Sequence, residues 1–328
     1  MKTVKRKICE YELSKTKIVF VDGLTRVGKA MLNTLLASLD KVSHPQFLEP
    51  LEQLLPMYKT GHMDKNSISS FLRLYLNERF YNYSLSRNLN FRYDDLTSIH
   101  NSTSSIDFFK NLSKVDGDVI IEELKNDITI HQFQTHDILT HYSLFLDLNI
   151  RVQVIELFRN PIDTIHSWYK RGWGVRFDNE DPRNFTCLFK YNGKTLPHYA
   201  IGYEDIYFSL NEMEKCVFLH NILLKKSIQE YHNLLIEQKN NILITKYEDI
   251  LQNPHTEVDR ICTFLQTNKS EYMTKAFKKA RVPRTIKKED RENKLNEIKS
   301  YIKKELFDDL IDVVNQYQTN FYGLGQKN

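Results

Sequence analysis

DGLTRVGKAM, residues 22–31, is the stretch of the chain that decides its fold. It follows a short β-branched run, KIVFV at residues 17–21, and it precedes an apolar-periodic segment over residues 29–39. This pattern predicts a buried strand, a tight glycine-containing turn and a helix. Backbone N–H groups converge at such a helix start, where they favour a bound phosphate. The chain is therefore predicted to begin its sheet with a phosphate-binding loop.

Predicted strands and helices alternate along the rest of the chain. The strands are expected at residues 118–122, 128–133, 151–158 and 241–245, and the helices at residues 69–83, 137–148, 161–169, 209–238 and 254–265. Such alternation indicates βαβ units and a parallel sheet. We expect an α/β protein with a three-layer, P-loop-type fold, in which helices flank a central parallel sheet.

The length and composition favour one folded domain over residues 1–328. Residues 61–118 are polar and studded with aromatic side chains, and they are predicted to form a mainly helical cap insertion within it. Phe71, Tyr75 and Phe80 in this region could line a pocket, but their helical spacing is more typical of core packing.

Charge and targeting signals narrow the class of protein further. A formal net charge of +4 is too small and too dispersed to indicate nucleic-acid binding. The four cysteines, which include Cys9, form no C-x-x-C pair, so neither a zinc site nor a disulfide framework is expected. The N-terminal segment lacks the apolar region of a signal peptide, and no run is long enough to span a membrane. We expect a cytoplasmic protein with no resident metal.

The phosphate loop fits two families. The nucleoside triphosphatase pattern G-x-x-x-x-G-K-[ST] matches at Gly23, Gly28 and Lys29, but Ala30 stands where a hydroxyl side chain would bind Mg²⁺. Without that hydroxyl, the metal on which phosphoryl transfer depends loses a ligand. The segment RVGKA, residues 26–30, instead resembles the 5′-phosphosulfate loop of sulfotransferases, which need no metal.

The sulfotransferase resemblance implies a set of nucleotide-binding residues in the loop. These are Gly23, Thr25, Arg26, Val27, Gly28, Lys29, Ala30 and Met31. The usual loop has hydroxyl residues beside the glycine, and this one does not, so contacts to the 5′-phosphate are expected from Lys29 or from the backbone. Arginine at the position of Arg26 is more typical of the carbohydrate and Nod-factor branch than of the cytosolic small-molecule branch.

A second motif downstream favours sulfotransferases over kinases. The segment RNPIDTIHS, residues 159–167, resembles the family's 3′-phosphate motif, in which an arginine at a strand end and a later serine hold the phosphate. Arg159 offers a planar fork of donors to phosphate oxygens, and Ser167 offers a hydroxyl. We expect these two residues to form a second phosphate-binding site.

Two residues are candidates for the general base. The segment Gln134-Thr135-His136 resembles the K-T-H segment of cytosolic sulfotransferases, in which the histidine is the base, although His131 and His141 lie nearby. A histidine side chain can accept a proton at neutral pH. Glu49 competes, because FLEPL, residues 47–51, resembles an E-P-L segment of carbohydrate and Nod-factor-type sulfotransferases. The choice between His136 and Glu49 stays open.

The resemblance continues towards the C-terminus. The segment ILITKYEDILQNP, residues 242–254, is similar to the late strand and turn of the family, which extends the likeness from residue 17 to about residue 265. The family's late R-K-G-x-x-G-x-W-type loop, which covers the nucleotide, is not visible. The basic stretch at residues 281–288 is its candidate replacement, with a solvated helical face as the alternative.

The resemblance implies an enzyme that moves a sulfuryl group from 3′-phosphoadenosine 5′-phosphosulfate to a hydroxyl acceptor. A carbohydrate or glycolipid is the expected acceptor, with the cap of residues 61–118 on its side. Arg26 is expected to stabilise the leaving oxygen. One alternative is a P-loop small-molecule kinase that uses ATP and Mg²⁺, with Glu122 as a metal ligand at a strand end. The other is a non-catalytic nucleotide- or glycan-binding protein. The sequence identifies neither the acceptor nor the oligomeric state.

Overall fold

A computed structural model describes residues 16–103, 105–179 and 186–320. Residues 1–15 lie outside the described residues. They include Cys9 and the N-terminal segment on which the expectation of no signal peptide rests. In the part of the chain that is described, no helix combines the length and apolarity needed to cross a bilayer.

The main sheet is parallel throughout, in the order β2-β3-β1-β4-β7. Its strands are β1 (Lys17–Asp22), β2 (Gln46–Phe47), β3 (Ile130–Gln134), β4 (Gln153–Phe158) and β7 (Ile242–Lys246). The remaining strands, β5 (Leu188–Tyr191) and β6 (Lys194–Pro197), form an antiparallel hairpin. The parallel sheet and its flanking helices confirm the predicted α/β, P-loop-type fold.

Helices make up most of the remaining structure. They are α1 (Lys29–Leu36), α2 (Glu49–Lys59), α3 (Lys65–Ser84), α4 (Ser105–Asn111), α5 (Asp118–Lys125), α6 (Tyr142–Asp147), α7 (Pro161–Tyr169), α8 (Trp173–Arg176), α9 (Glu204–Ser209), α10 (Glu212–Asn233), α11 (Ile236–Lys239), α12 (Tyr247–Gln252), α13 (Pro254–Leu265), α14 (Met273–Ala280), α15 (Lys288–Tyr301) and α16 (Lys304–Asn320). Short 3₁₀ turns, including Ile138–His141 and His198–Ala200, link some of them.

Residues 18–21 of β1 form a continuous apolar run, and β4 is apolar apart from Gln153 and Glu156, because both faces of these strands are covered. In β1, residues 18–21 are at most 2% exposed, and in β4 Val154, Ile155 and Leu157 are fully buried. Strands of this kind are typical of parallel sheets between helical layers. The carboxyl ends of β1, β3 and β4 therefore meet at one edge of a rigid core.

The predicted strand at residues 118–122 is wrong, because this segment lies in α5. Its β-branched run Val119-Ile120-Ile121 resembles a buried strand in sequence. In the structure only Ile120 is buried, whereas Val119 is 58% and Ile121 47% exposed. Burial of one residue in three suits a short helix at the surface. The predicted helix over residues 209–238 is likewise divided among the end of α9, α10 and α11.

The aromatic residues of the predicted cap have different environments. Phe80 is fully buried in the core, as its helical spacing indicated. Phe71 is 45% exposed and stacks on Tyr75, with ring centroids 6.1 Å apart. Residues 61–118 contain all of α3 and α4, and the single-domain and cap assignments stay predictions.

Candidate active site

The loop between β1 and α1 has a backbone path that depends on glycine. Gly23 and Gly28 have φ values of 129° and 108°. A Cβ on Gly23 would lie 2.3 Å from the carbonyl oxygen of Leu157, and one on Gly28 would lie 2.4 Å from the Tyr247 ring. Both glycines are therefore required, the first for approach to β4 and the second for approach to α12.

Lys29 supports this loop from inside the protein. The side chain is 4% exposed, and its ammonium donates to the carbonyl oxygens of Gly23 and, at 3.1 Å, Leu24. Burial lowers the pKa of Lys29, and the nearby carboxylates of Asp22 and Asp137 raise it. We expected Lys29 to contact a 5′-phosphate, but in this structure its donors face the loop's own carbonyl groups.

The other predicted loop residues divide between surface and interior. Val27 is 3% exposed and belongs to the core. Arg26 and Ala30 are exposed, and Thr25 and Met31 are half-buried. Arg26 is the residue of this group whose side chain reaches the second predicted motif.

The two predicted phosphate-binding motifs contact each other in the structure. Arg26 Nε donates to Ser167 Oγ at 3.2 Å, and Arg159 Nη1 donates to the carbonyl oxygen of Arg26 at 2.9 Å. Next to Ser167, Trp168 Nε1 donates to the carbonyl oxygen of Thr25 at 2.8 Å. Burial lowers the pKa of Arg26, as do the positive charges of Arg171 and Arg159. The chain thus gathers cationic donors at the carboxyl ends of β1 and β4.

Tyr247 is a site residue that the sequence analysis treated as part of a structural turn. Its ring lies against Gly28, and the Arg159 guanidinium sits 4.6 Å from the ring centroid. Arg284 Nη2 donates to the Tyr247 hydroxyl at 2.5 Å. Arg159 Nε is buried and has no hydrogen-bond partner. The tyrosine therefore places two arginines beside the loop, one with an unused donor.

His136 is paired with a carboxylate that the sequence analysis did not single out. Its Nδ1 lies 2.6 Å from Glu52 Oε1, with side-chain exposures of 25% for His136 and 12% for Glu52. An ionised carboxylate can only accept a hydrogen bond, so this contact leaves Nε2 of His136 as the proton acceptor. The available signal was the spacing of Glu49 and Glu52, which lie one helical turn apart.

Glu49 lies in the same helix but in a more open setting. Its carboxylate is 39% exposed and is 3.9 Å from Arg79 Nη2. The nearby histidines have other surroundings. His131 is buried and contacts Asp127 at 3.3 Å, and both ring nitrogens of the buried His141 have no hydrogen-bond partner.

A cavity of about 360 Å³ brings the predicted catalytic residues together. Arg26, Glu49 and His136 all contribute to its lining, together with Glu52. The rest of its wall is mainly aromatic and aliphatic, with arginines and histidines between, and includes Phe47, Leu51, Leu55, Ile138, His141, Trp168, Arg171, Trp173, Arg176, His198 and Tyr199. A largely apolar pocket with a few polar groups is typical of a small-molecule site.

The metal ligand expected for a kinase is absent from this site. Glu122 lies in α5, 68% exposed, and pairs with Lys125 one turn later. The strand end on which that hypothesis depended does not exist. Among the described residues, no cluster of three or more histidine, cysteine or acidic side chains is arranged to hold a metal ion.

Acidic groups are buried beneath the loop, around Lys29. Asp22 accepts hydrogen bonds from Thr135 Oγ1 at 2.9 Å and from the Leu139 N–H at 3.1 Å. Burial raises the pKa of Asp137 to about 7 and that of Glu156 well above its ordinary value. These contacts join the ends of β1 and β3, and they place His136 next to a rigid turn.

The fold and site together place the β1–α1 loop, Arg26 and Arg159 at the carboxyl edge of a parallel sheet, beside a cavity containing a histidine–carboxylate pair. The sequence matches the sulfotransferase domain family over residues 23–319. The chain belongs to that family, which confirms the resemblance stated from the sequence. No curated protein sequence matches the chain.

Solved structures with similar chains are also sulfotransferases. The sulfotransferase domain of the Synechococcus PCC 7002 olefin synthase is 14% identical, with 95% of this chain and 98% of that chain covered and a TM-score of 0.46. A sulfotransferase from Alicyclobacillus acidocaldarius is 12% identical, with 92% and 96% covered and a TM-score of 0.35. A sulfotransferase from Mycobacterium tuberculosis H37Rv is 12% identical, with 89% and 76% covered and a TM-score of 0.41.

The close approach of Gly28 to Tyr247 generates a stability prediction. Gly28→Ala should destabilise the protein through its positive φ and through overlap with the ring, each of which costs about 1–3 kcal/mol. Gly61→Ala is the matched control, because Gly61 also has a positive φ of 75° but no atom within 4 Å of an added Cβ. Urea denaturation should show a clearly larger loss for Gly28→Ala, and equal losses would contradict the role of the ring contact.

Proposed function

We propose that this protein transfers a sulfuryl group from 3′-phosphoadenosine 5′-phosphosulfate to a hydroxyl acceptor. The observation that carries the proposal is the convergence of Arg26, Arg159 and Ser167 beside a cavity that contains His136 and Glu52. Membership of the sulfotransferase domain family supports the same reaction. A cytoplasmic location is proposed with it.

The residues present fit the donor nucleotide. The 3′-phosphate would be held by Arg159 and Ser167, and the unused Nε of Arg159 is a donor available for it. The 5′-phosphosulfate would be held by backbone N–H groups of residues 23–31, with Arg26 nearest the sulfate. Arg284, which reaches Tyr247 next to Arg159, supports the proposal that residues 281–288 replace the missing late loop of the family.

The proposed reaction is an in-line displacement at sulfur. The acceptor oxygen forms a bond to sulfur while the bond from sulfur to the bridging phosphate oxygen breaks, and adenosine 3′,5′-bisphosphate leaves. His136 Nε2 takes the proton of the acceptor hydroxyl, and Glu52 stabilises the imidazolium that forms. Arg26 stabilises the negative charge that develops on the bridging oxygen.

His136 is the better-supported base because it is partly buried and oriented by Glu52, whereas Glu49 is more exposed and lies near Arg79. Glu49 still lines the cavity, where its carboxylate is suited to orient an acceptor hydroxyl. The proposal of a sugar or glycolipid acceptor rests on the resemblance of residues 47–51 and on the arginine at position 26.

Isothermal titration tests the donor. We expect adenosine 3′,5′-bisphosphate to bind in the presence of a metal chelator and to bind more tightly than ATP·Mg²⁺. A preference for ATP·Mg²⁺ would favour the kinase alternative and overturn the proposal. Release of labelled sulfate from the donor, with water or a glycan panel as acceptor, then separates an enzyme from a non-catalytic binding protein.

Arg159→Ala should weaken binding of adenosine 3′,5′-bisphosphate by about 10- to 100-fold, the loss expected for a charge-assisted hydrogen bond. Adenosine 5′-monophosphate, which lacks the 3′-phosphate, should bind the variant and the wild type with similar affinity. Arg92→Ala is the control, because Arg92 is 79% exposed and its ion pair is local. An equal loss for both nucleotides would assign Arg159 to the loop structure rather than to the 3′-phosphate.

Arg26→Ala should lower the rate of donor turnover by about 10²- to 10³-fold, as for the removal of one preorganised donor. Adenosine 3′,5′-bisphosphate should still bind, because the carbonyl group that Arg159 contacts is a backbone group and persists in the variant. Single-turnover release of labelled sulfate measures the rate. Turnover close to that of the wild type would show that Arg26 does not stabilise the leaving group.

The base is identified by comparing three variants. His136→Ala should lower the turnover rate by about 10²- to 10⁴-fold, the usual contribution of a general base. Glu52→Gln should lower it less and should alter the pH profile, because the imidazolium loses its carboxylate partner. Glu49→Gln should mainly raise KM for the acceptor. A larger loss of turnover for Glu49→Gln than for His136→Ala would make Glu49 the base.

A further inference from the structure

A group of basic side chains lies where the active-site cavity meets a neighbouring groove. The groove has a volume of about 1000 Å³ and shares Pro56, His198 and Tyr199 with the cavity wall. His141 lines the cavity, and Lys59 and Lys226 line the groove. We call Lys59, His141, His198 and Lys226 the basic wall.

Of the two histidines of the basic wall, His198 is half-buried, and His141 is buried without hydrogen-bond partners. The rings of His141 and His198 lie with centroids 5.4 Å apart. His141 is 4% exposed, yet neither of its ring nitrogens has a hydrogen-bond partner. A buried polar group without a partner destabilises the folded protein. Since His141 also lines the cavity, its ring nitrogens are polar groups of the wall that the protein itself leaves without partners.

The lysines of the basic wall face one another. Burial and the contact with Lys59 lower the pKa of Lys226 to about 7, and Glu230 and Asp137 partly oppose this. Within the described residues, neither lysine is in an ion pair. Burial and the charge of Lys226 lower the pKa of His198 to about 3 and that of His141 well below its ordinary value, so both imidazoles are neutral at pH 7.

Glu214, Glu305 and Asp309 also line the groove, and Asp309 is paired with Lys225. The carboxyl groups that act on Lys226 itself are Glu230 and Asp137. Glu230 follows Lys226 by one turn of α10, and Asp137 is a buried carboxyl whose pKa is raised to about 7. A half-protonated carboxyl supplies little negative charge at neutral pH. Two lysines that line one groove, with the unpartnered ring of His141 beside them, are suited to bind an anion.

We propose that the basic wall binds an anionic group of the acceptor, either a carboxylate or a phosphate or sulfate ester. The inference rests on the proposed function, because the same cavity carries His136 and Arg26. It assigns the acceptor to the hydroxylated acids, with its anionic group at the basic wall and its hydroxyl at His136. The aromatic and aliphatic side chains between, such as Ile138 and Tyr199, contact the carbon skeleton.

The test uses the enzyme saturated with adenosine 3′,5′-bisphosphate, so that the donor site is filled. Phenylacetate, phenyl phosphate and benzyl alcohol are titrated into this complex. We expect one or both anions to bind and the alcohol to bind more weakly. A preference for phenyl phosphate indicates a phosphate or sulfate ester, and a preference for phenylacetate indicates a carboxylate.

Lys226→Met should weaken binding of the preferred anion by roughly 10- to 100-fold and should leave the affinity for benzyl alcohol unchanged. Lys225→Met is the matched control, because Lys225 is the neighbouring lysine and is paired with Asp309. It should bind the anion as the wild type does. Both variants should retain their affinity for adenosine 3′,5′-bisphosphate.

Proton uptake provides a second measurement. An anion near Lys226 raises its pKa from about 7, so binding near pH 7.5 should take up protons, which titrations in buffers of different ionisation enthalpy detect. Lys226→Met should abolish this uptake. Equal binding of anions and alcohol, or an equal loss with Lys225→Met, would overturn the inference. Failure of the bisphosphate itself to bind would overturn the proposed function instead.

Discussion

Hydrogen bonds between the β1–α1 loop and the segment after β4 are the constraint on which the site depends. Arg159 and Trp168 donate to backbone carbonyl groups of the loop, and Arg26 returns a bond to Ser167. These residues are more than a hundred positions apart in the chain, and each bond is local to one edge of the sheet. Adjacent parallel strands bring their carboxyl ends to the same edge, and so the two motifs meet.

Acidic and basic side chains lie on opposite sides of the loop. Carboxyl groups lie beneath it, around Lys29, whereas arginines lie on its outer side. The carbonyl groups of Gly23 and Leu24 hold the lysine in place, and among the described residues no carboxylate pairs with Arg26 or Arg159. This arrangement makes the outer side attractive to a substrate with several phosphate or sulfate groups.

Much of this organisation could be predicted from the sequence, because apolar runs and glycine turns are local signals. The strand at β1, the helices beginning at Pro161 and Pro254, and the parallel sheet are examples. The segment at Val119 was misjudged because exposure, which separates a surface helix from a buried strand, is a property of the whole fold. Glu52 and Tyr247 were missed for a related reason. Their importance comes from contacts with His136 and Arg159, which are distant in sequence.

The internal support of the loop by Lys29 has a consequence for how the protein meets its substrate. A loop held by its own buried ammonium group and by close packing on Tyr247 has a defined shape without a ligand. Little conformational entropy is then lost when the nucleotide enters, since ordering each backbone residue would otherwise cost about 1–2 kcal/mol. Association should therefore be governed by diffusion and charge attraction rather than by the folding of the loop around its ligand.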